Sequence, residues 1–469
     1  YRTPLTFRAA GTSLSGQAIT DSVQVMLEGN AWRDYTLLED GARIRLQPGI
    51  IGAQANHSLA PLGPKIGPDP ASIATCKIGG IAANNASGMC CGVAQNSYQT
   101  LESMRLILAD GSLLDTADPA SREAFAVSHE KLLGGLAQLI ADVRANTALA
   151  ERIRHKFKIK NTTGYSLNAL VDYSNPIDVL QHLIIGSEGT LGFIAEITYR
   201  TVVEHACKAS ALVFFADVAS ACSAVTRLKP EPVDAVEIMD RAALRSVQDQ
   251  PGMPSELSAL PQGAAALLIE TRSAEQAGLD ANIGRIREAL EPVSRLGEIR
   301  FTAVPEEFER LWKIRKGMFP SVGAVRAAGT TVIIEDIAFP LDRLAEGTVD
   351  LQRLFAVHGY DDAIIFGHAL EGNLHFVITP DLGDAAEVRR YRGFMDELCH
   401  LVVDKYDGSL KAEHSTGRNI APYVELEWGS EAYRLMHRIK ALLDPEGLLN
   451  HGVVLNEDPE VDVRNFMSM

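Results

Sequence analysis

Apolar positions along the chain follow two rhythms. From residue 1 to about 202 the apolar runs are short and are separated by stretches of Gly, Ala and Ser. "PLTFRAAGTSLSGQA" reads as a strand followed by a loop of small residues, and further strands are predicted near 23–28 ("VQVML") and 43–48 ("RIRLQP"). Residues 63–95 show almost no helical period. "LESMRLILADGSLLDT" predicts a hairpin, with Asp110-Gly111 between two apolar runs. Leu132, Leu133, Leu136, Leu139 and Ile140 recur at helical spacing and predict a helix over about 130–150. "LIIGSEGTLGFIAEITYRTV" then returns to strand.

After residue 203 strands and helices alternate regularly. The pattern predicts strands at "ASALVFFA", "DAVEIM", "AAALLIET", "EIRFTAV", "TTVIIEDIAF", "DAIIFGH", "NLHFVIT" and "GSLKAEH", with helices over 217–228, 273–290, 305–317, 341–357 and 384–406. Each half of this series has the β-α-β-β-α-β order of a split ferredoxin-like unit, and two such units side by side would form one large antiparallel sheet. The fold class expected is therefore α+β. The domains expected are 1–202, 203–430, and a closing helix with a tail (431–469) that packs back on the first domain.

At 469 residues the chain exceeds what one hydrophobic core usually supports. A composition of 46% hydrophobic and 22% charged residues is that of a globular protein, and a net charge of −16 argues against nucleic acid or a membrane surface as partner. No apolar run reaches the ~18 residues of a membrane span, and no signal peptide is visible. The six cysteines show no C-x-x-C pairing, which points to a reducing, cytoplasmic setting. The adjacent Cys90 and Cys91 read either as small side chains packed in a Gly-rich loop or as a ligand or redox pair. The start at Tyr1 and the stop at "VDVRNFMSM" suggest part of a longer polypeptide.

"GTSLSGQ" has the Gly-x4-Gly spacing of a phosphate loop but no Lys-Ser/Thr after the second Gly, which disfavours a P-loop. No G-x-G-x-x-G opens a helix, so a Rossmann site is disfavoured too. A loop of bare backbone N–H groups and hydroxyls can cradle phosphate without lysine; the bland alternative is a tight turn. "IGGIAANNASG" and "IGSEGTLGFI" repeat the theme. Such clusters of glycine cost entropy on folding and permit close backbone approach, so together they suggest a dinucleotide too large for one loop.

"IIFGHALEGNLHFVIT" flanks a small turn with His368 and His375. As a hairpin it would set the two imidazoles opposite each other across the strands, either hydrogen-bonded in a core or reaching for one cation. "AEHSTG" adds Glu413 beside His414 at the end of a strand expected in the same sheet. Two His and one carboxylate form an open metal site for Zn, Mn or Fe. Arg315, in "LWKIRKG", is either a clamp for a substrate carboxylate or a solvated helix arginine.

The ordered run "FRAAGTSLSGQA", "GPDPAS…IGGIAANNASG" and "IGSEGTLGFIAEIT" resembles the FAD-binding domain of the vanillyl-alcohol-oxidase type. With "GHALEGNLH" and "KAEHSTGR", nearly all of 1–469 resembles FAD-linked D-2-hydroxyacid dehydrogenases of the D-lactate dehydrogenase and glycolate oxidase subunit kind. "GTTVIIEDIAFP" and "HALEGNLHFVITP" are most similar to long members with a cysteine-rich iron–sulfur region after the flavin part. The resemblance implies that 1–202 is an FAD-binding domain whose first segment precedes Tyr1, and that 203–430 is a substrate-binding cap. It implies that Gly11, Thr12, Ser13, Leu14, Ser15 and Gly16 hold the pyrophosphate. Pro70, Ser72, Gly79, Gly80 and Asn84 would line the flavin and ribityl chain, and Gly186, Glu188, Gly189 and Ile194 would meet the adenine half. His368, His375 and Glu413 would be metal ligands and His414 the base. The first loop has no His, and a cysteinyl link through Cys76 or Cys90 is disfavoured, so the FAD expected is non-covalent.

The reaction implied is oxidation of a D-2-hydroxy acid to the 2-oxo acid. Electrons would pass to an iron–sulfur domain or subunit, or to a quinone, and partners could bring the protein to the inner face of a membrane. Two departures bear on substrate. Val377 stands where many relatives have Asn, and Ile334 where shorter hydroxyglutarate-type members have Lys. Both favour a small monocarboxylate such as lactate or glycolate. The competing readings are a metal-free flavin oxidase of alcohols or alditols, and a non-catalytic electron-transfer subunit that keeps FAD.

Overall fold

The structure, a computed structural model, describes residues 2–251 and 253–464; residues 465–469 of the expected tail lie outside them. The described residues form two compact units, one made of 2–204 with 409–464, the other of 205–408.

In the first unit, β1 (Leu5–Arg8) and β2 (Val23–Met26) form a parallel pair. A larger sheet combines β3 (Tyr35–Leu38), β4 (Arg43–Leu46), β5 (Pro64–Ile66), β6 (Leu101–Ile107), β7 (Leu113–Asp115) and β8 (Phe193–Val203). The long β8 is its spine, pairing with β4, β5 and β6. The hairpin expected at Asp110-Gly111 joins β6 to β7, with Gly111 at φ 83°. The predicted helix over 130–150 is two helices. Glu130–Ala145 buries Leu136, Leu139, Ile140 and Val143, and Thr147–Lys156 restarts where the Asn146 side chain caps Leu149 N. The low-period stretch holds one short helix, Ile78–Asn84, stopped by Asn85 in the left-handed region. Asn tolerates that conformation better than most residues. Burial of residues such as Ile44, Leu46, Leu180 and Ile197 stabilises this core, each by about 1.5–3 kcal/mol.

The second unit is built on one antiparallel sheet. Its strands are β9 (Cys207–Phe215), β10 (Ala235–Asp240), β11 (Ala265–Ser273), β12 (Ile333–Ala338), β13 (Ile364–His368) and β14 (Asn373–Ile378), in the order β12-β14-β13-β10-β11-β9. Each half is the first three strands of a ferredoxin-like unit, and the halves join where β10 pairs with β13. The fourth strands expected from the pattern are missing. "EIRFTAV" is reduced to a bridge between Thr302 and Ser210. "GSLKAEH" forms no strand and belongs to the first unit, so the chain leaves the sheet unit at Gly408 and not at 430. The reason is local: Leu410 N donates to Glu427 Oε2 (2.8 Å) and Lys411 N to Thr163 Oγ1 (2.9 Å), so side chains take the hydrogen bonds that a ladder would need.

Candidate functional site

The first unit gathers its glycine loops into a cradle. In the Gly11–Gly16 loop both end glycines have positive φ (70° and 77°), while Thr12, Ser13 and Leu14 are exposed. Ser15 is buried, and its O accepts from Arg418 N at 2.9 Å. The Ser15 side chain accepts from Lys411 Nζ at 3.0 Å, and Lys411 is itself fully buried. A buried cation thus reaches the loop from 396 residues away, in addition to Arg8, whose guanidinium lies against Gly11. Gly417, also at positive φ (63°), lets this support approach, because a Cβ there would collide with Ser15.

The second and third loops lock onto each other. Asn84 Nδ2 donates to Glu188 Oε1 (2.7 Å) and to the backbone O of His414 (2.9 Å). Glu188 N donates to Ala83 O at 2.8 Å, and Gly186, Glu188 and Gly189 all have positive φ. Burial pushes the Glu188 carboxyl up to about 7, against hydrogen bonds from Asn84 and Ser415. Asn450 ties the set together: its Nδ2 donates to Gln17 O (3.0 Å) and Glu188 O (2.6 Å). The sequence reading missed Asn450, Lys411 and Lys160. Gly79 and Gly80 lie in the short helix, where a Cβ at Gly79 would press on Pro48 at 2.6 Å. Pro70 and Ser72 form the turn before it, closed by Cys76 N to Ser72 O at 2.8 Å. Ile194 is a core side chain of β8. Bare amides at the first loop and glycines too tightly placed for a Cβ fit a dinucleotide such as FAD.

Glu413 and His414 belong to this unit, not to the sheet on which they were expected. Glu413 Oε2 accepts from Gly88 N (2.9 Å) and from the buried Lys160 Nζ (2.8 Å). The His414 backbone O accepts from both Gln17 and Asn84. Gly88 is fixed by close approach, since a Cβ there would collide with the Asp69 carbonyl.

The second unit holds a polar cluster on strands whose residues are all buried. His368 and His375 flank the 3-10 turn Ala369–Glu371, and their rings meet edge to face with centroids 5.0 Å apart. They are diagonal neighbours and not directly opposed as expected, because the register pairs His375 with Phe366. The strands on either side supply carboxylates. Glu237 of β10 is in register with His368 and binds its Nδ1 at 2.6 Å. Asp336 of β12 is in register with His375, whose Nδ1 lies 3.2 Å from Asp336 Oδ1. Burial alone would raise the Glu237 carboxyl, but His368 and Arg315 outweigh it and hold it below the usual carboxylate range. A carboxylate accepts, so Nδ1 of His368 carries the proton and Nε2 presents its lone pair, the tautomer a metal needs. The donor set therefore fits a divalent cation.

Arg315 is only 6% exposed, which removes the solvated reading. It comes from helix Pro305–Val325, longer than the predicted 305–317. Its Nε donates to Glu237 Oε2 at 2.6 Å, and its guanidinium lies 4.4 Å over the Phe366 ring. Among the described residues neither Nη nitrogen has a hydrogen-bond partner. Ile334 and Val377 face each other across β12 and β14, two residues along from Asp336 and His375 on the same side of the sheet.

A glycine-built dinucleotide cradle joined in one chain to a sheet with a buried histidine–carboxylate cluster defines a flavoprotein oxidoreductase. Comparison with known families agrees. Residues 1–117 match the FAD binding domain, and residues 204–454 match the C-terminal domain of FAD linked oxidases. The chain belongs to the FAD-linked oxidases. It is 24% identical over 465 residues to glycolate oxidase subunit GlcD of Bacillus subtilis, covering 98% of this chain and 85% of that protein. The mitochondrial cytochrome-type D-lactate dehydrogenase of Arabidopsis thaliana is 25% identical (97% and 70% covered). D-2-hydroxyglutarate dehydrogenase of Pantoea ananatis is 26% identical, and this chain spans only 45% of it. Among solved structures, 4-ethylphenol oxidase from Gulosibacter chungangensis superposes with a TM-score of 0.64 at 15% identity, covering 97% and 85% of the two chains. That likeness extends to the fold of the vanillyl-alcohol-oxidase type. Among the described residues no helix is long and apolar enough to cross a membrane.

Proposed function

We propose that the chain oxidises a small D-2-hydroxy acid, of glycolate or lactate size, to the 2-oxo acid. The observation that carries this reading is the buried cluster of His368, His375, Glu237, Asp336 and Arg315. Polar groups are costly to bury, and a cluster with two imidazoles and a clamp-ready guanidinium suits a cation and an anionic substrate. His368 and His375 would hold Zn²⁺, Mn²⁺ or Fe²⁺, the sequence resemblance gives Glu413 as a further ligand, and the cation would supply Lewis acidity to the substrate hydroxyl. FAD, when bound, supplies the acceptor for the hydride leaving the α-carbon. Arg315 grips the substrate carboxylate through the Nη edge that Glu237 leaves available. The sequence resemblance gives His414 as the base for the hydroxyl proton, a general-base contribution of about 10²–10⁴-fold. The apolar Ile334–Val377 pair offers no partner to a second carboxylate, which supports a monocarboxylate over hydroxyglutarate. The name of the Bacillus subtilis relative, a subunit, supports a partner subunit, and the sequence resemblance gives iron–sulfur or quinone as the acceptor.

The test is anaerobic bleaching of the FAD-loaded protein by a panel of D- and L-2-hydroxy acids and primary alcohols, alongside metal analysis. D-lactate or glycolate should bleach the flavin, a chelator should stop it, and added Zn²⁺ or Mn²⁺ should restore it. Bleaching by alcohols alone, in protein without metal, would sink the proposal in favour of a metal-free oxidase. Silence towards every substrate would favour an electron-transfer subunit.

A further inference from the structure

Glu237 is wholly buried in the middle of β10, and its two oxygens have different partners. Oε1 is 2.6 Å from His368 Nδ1, and Oε2 is 2.6 Å from Arg315 Nε. The first partner sits on the neighbouring strand; the second reaches in from a helix and is braced over Phe366, itself on the strand of His368. One carboxylate thus holds both the imidazole and the guanidinium.

We propose that Glu237 is a positioning residue that locks the metal-binding imidazole and the carboxylate clamp to each other, so that cation and substrate are held in one fixed geometry. This rests on the reading of His368 as a ligand and Arg315 as a clamp. No other side chain can do it. Glutamine has one acceptor and one donor group, so it satisfies either His368 Nδ1–H or Arg315 Nε–H and opposes the other with a donor. Aspartate is one methylene too short to reach both. Asp336 does not duplicate the arrangement: it lies 3.2 Å from His375 Nδ1, and the same oxygen already accepts from Asn373 Nδ2 at 2.6 Å.

The experiment measures Co²⁺ binding to the FAD-loaded chain by calorimetry and visible absorption, then kcat and KM with the hydroxy acid that the panel identifies. Glu237→Gln should lower Co²⁺ affinity by about 10–100-fold, shift the Co²⁺ bands, and raise KM together with the loss in kcat. Arg315→Lys, which keeps the charge but not the Nε donor, should also weaken Co²⁺ binding although it touches no metal. It carries the test if Glu237→Gln does not fold. His368→Ala should abolish Co²⁺ binding. If both Glu237→Gln and Arg315→Lys bind Co²⁺ like the parent while His368→Ala does not, the coupling role is wrong and the metal site stands. If His368→Ala still binds Co²⁺ normally, the metal reading itself falls.

Discussion

The two units build their sites from opposite materials. The cradle of the first is backbone: Gly11, Gly16, Gly186, Glu188 and Gly189 take positive φ, and main chain packs closely on main chain, as Glu188 N does on Ala83 O. The cluster of the second is side chains on regular strands, with Glu237, Asp336, His368 and His375 placed by register alone. The first should therefore be broken by adding a single carbon and should tolerate many changes of charge. The second should be broken by changes that alter no volume, as Glu237→Gln would.

The sharpest way to break this contrast is Gly88→Ala. The position has φ 116° and no room for a Cβ beside the Asp69 carbonyl. A loss of about 3 kcal/mol or more is expected, read as a fall in thermal midpoint and in bound flavin. If Gly88→Ala binds FAD with parental stability, the cradle does not depend on close backbone approach.

A smaller effect is expected at Lys411, whose buried Nζ donates to Ser15 of the first loop. Lys411→Met should weaken FAD binding by about 10-fold, or 1.4 kcal/mol, while riboflavin, which has no pyrophosphate, should bind unchanged. Equal losses for both ligands would mean that Lys411 supports the fold and not the phosphates.

The smallest effect concerns Glu188. Its carboxyl is raised to about 7 in the folded apoprotein, above its unfolded value. The folded state then binds the extra proton, so this contribution is present at acid pH and is lost as pH rises through about 7. Apoprotein stability should decline by an amount on the order of 1 kcal/mol between pH 5 and 8, and Glu188→Gln should flatten that slope. An unchanged slope in the variant would assign the decline to another group.

The same contrast explains what could be read from the sequence. The glycine loops are legible because glycine meets their backbone demands at the least cost, and their order along the chain makes the fold recognisable. Their ties were not legible, because Asn450 reaches Gln17 across 433 residues and Lys411 reaches Ser15 across 396. In the sheet unit the histidines stood out as polar residues in apolar runs. Glu237, in "DAVEIM", did not, because alternation makes such a residue look solvent-facing, and β10 is buried throughout. "GSLKAEH" misled for the converse reason: its period imitates a strand, while buried side chains take its N–H groups.

The interrupted chain path of the first unit has a consequence for biogenesis. Its two stretches are separated by the whole of His205–Gly408, so a ribosome releases all of the sheet before Lys411 and Asn450 emerge. The full set of braces is thereby assembled only after Asn450 has been made, and a nascent chain that stalls before residue 409 holds the glycine loops without the residues that brace them.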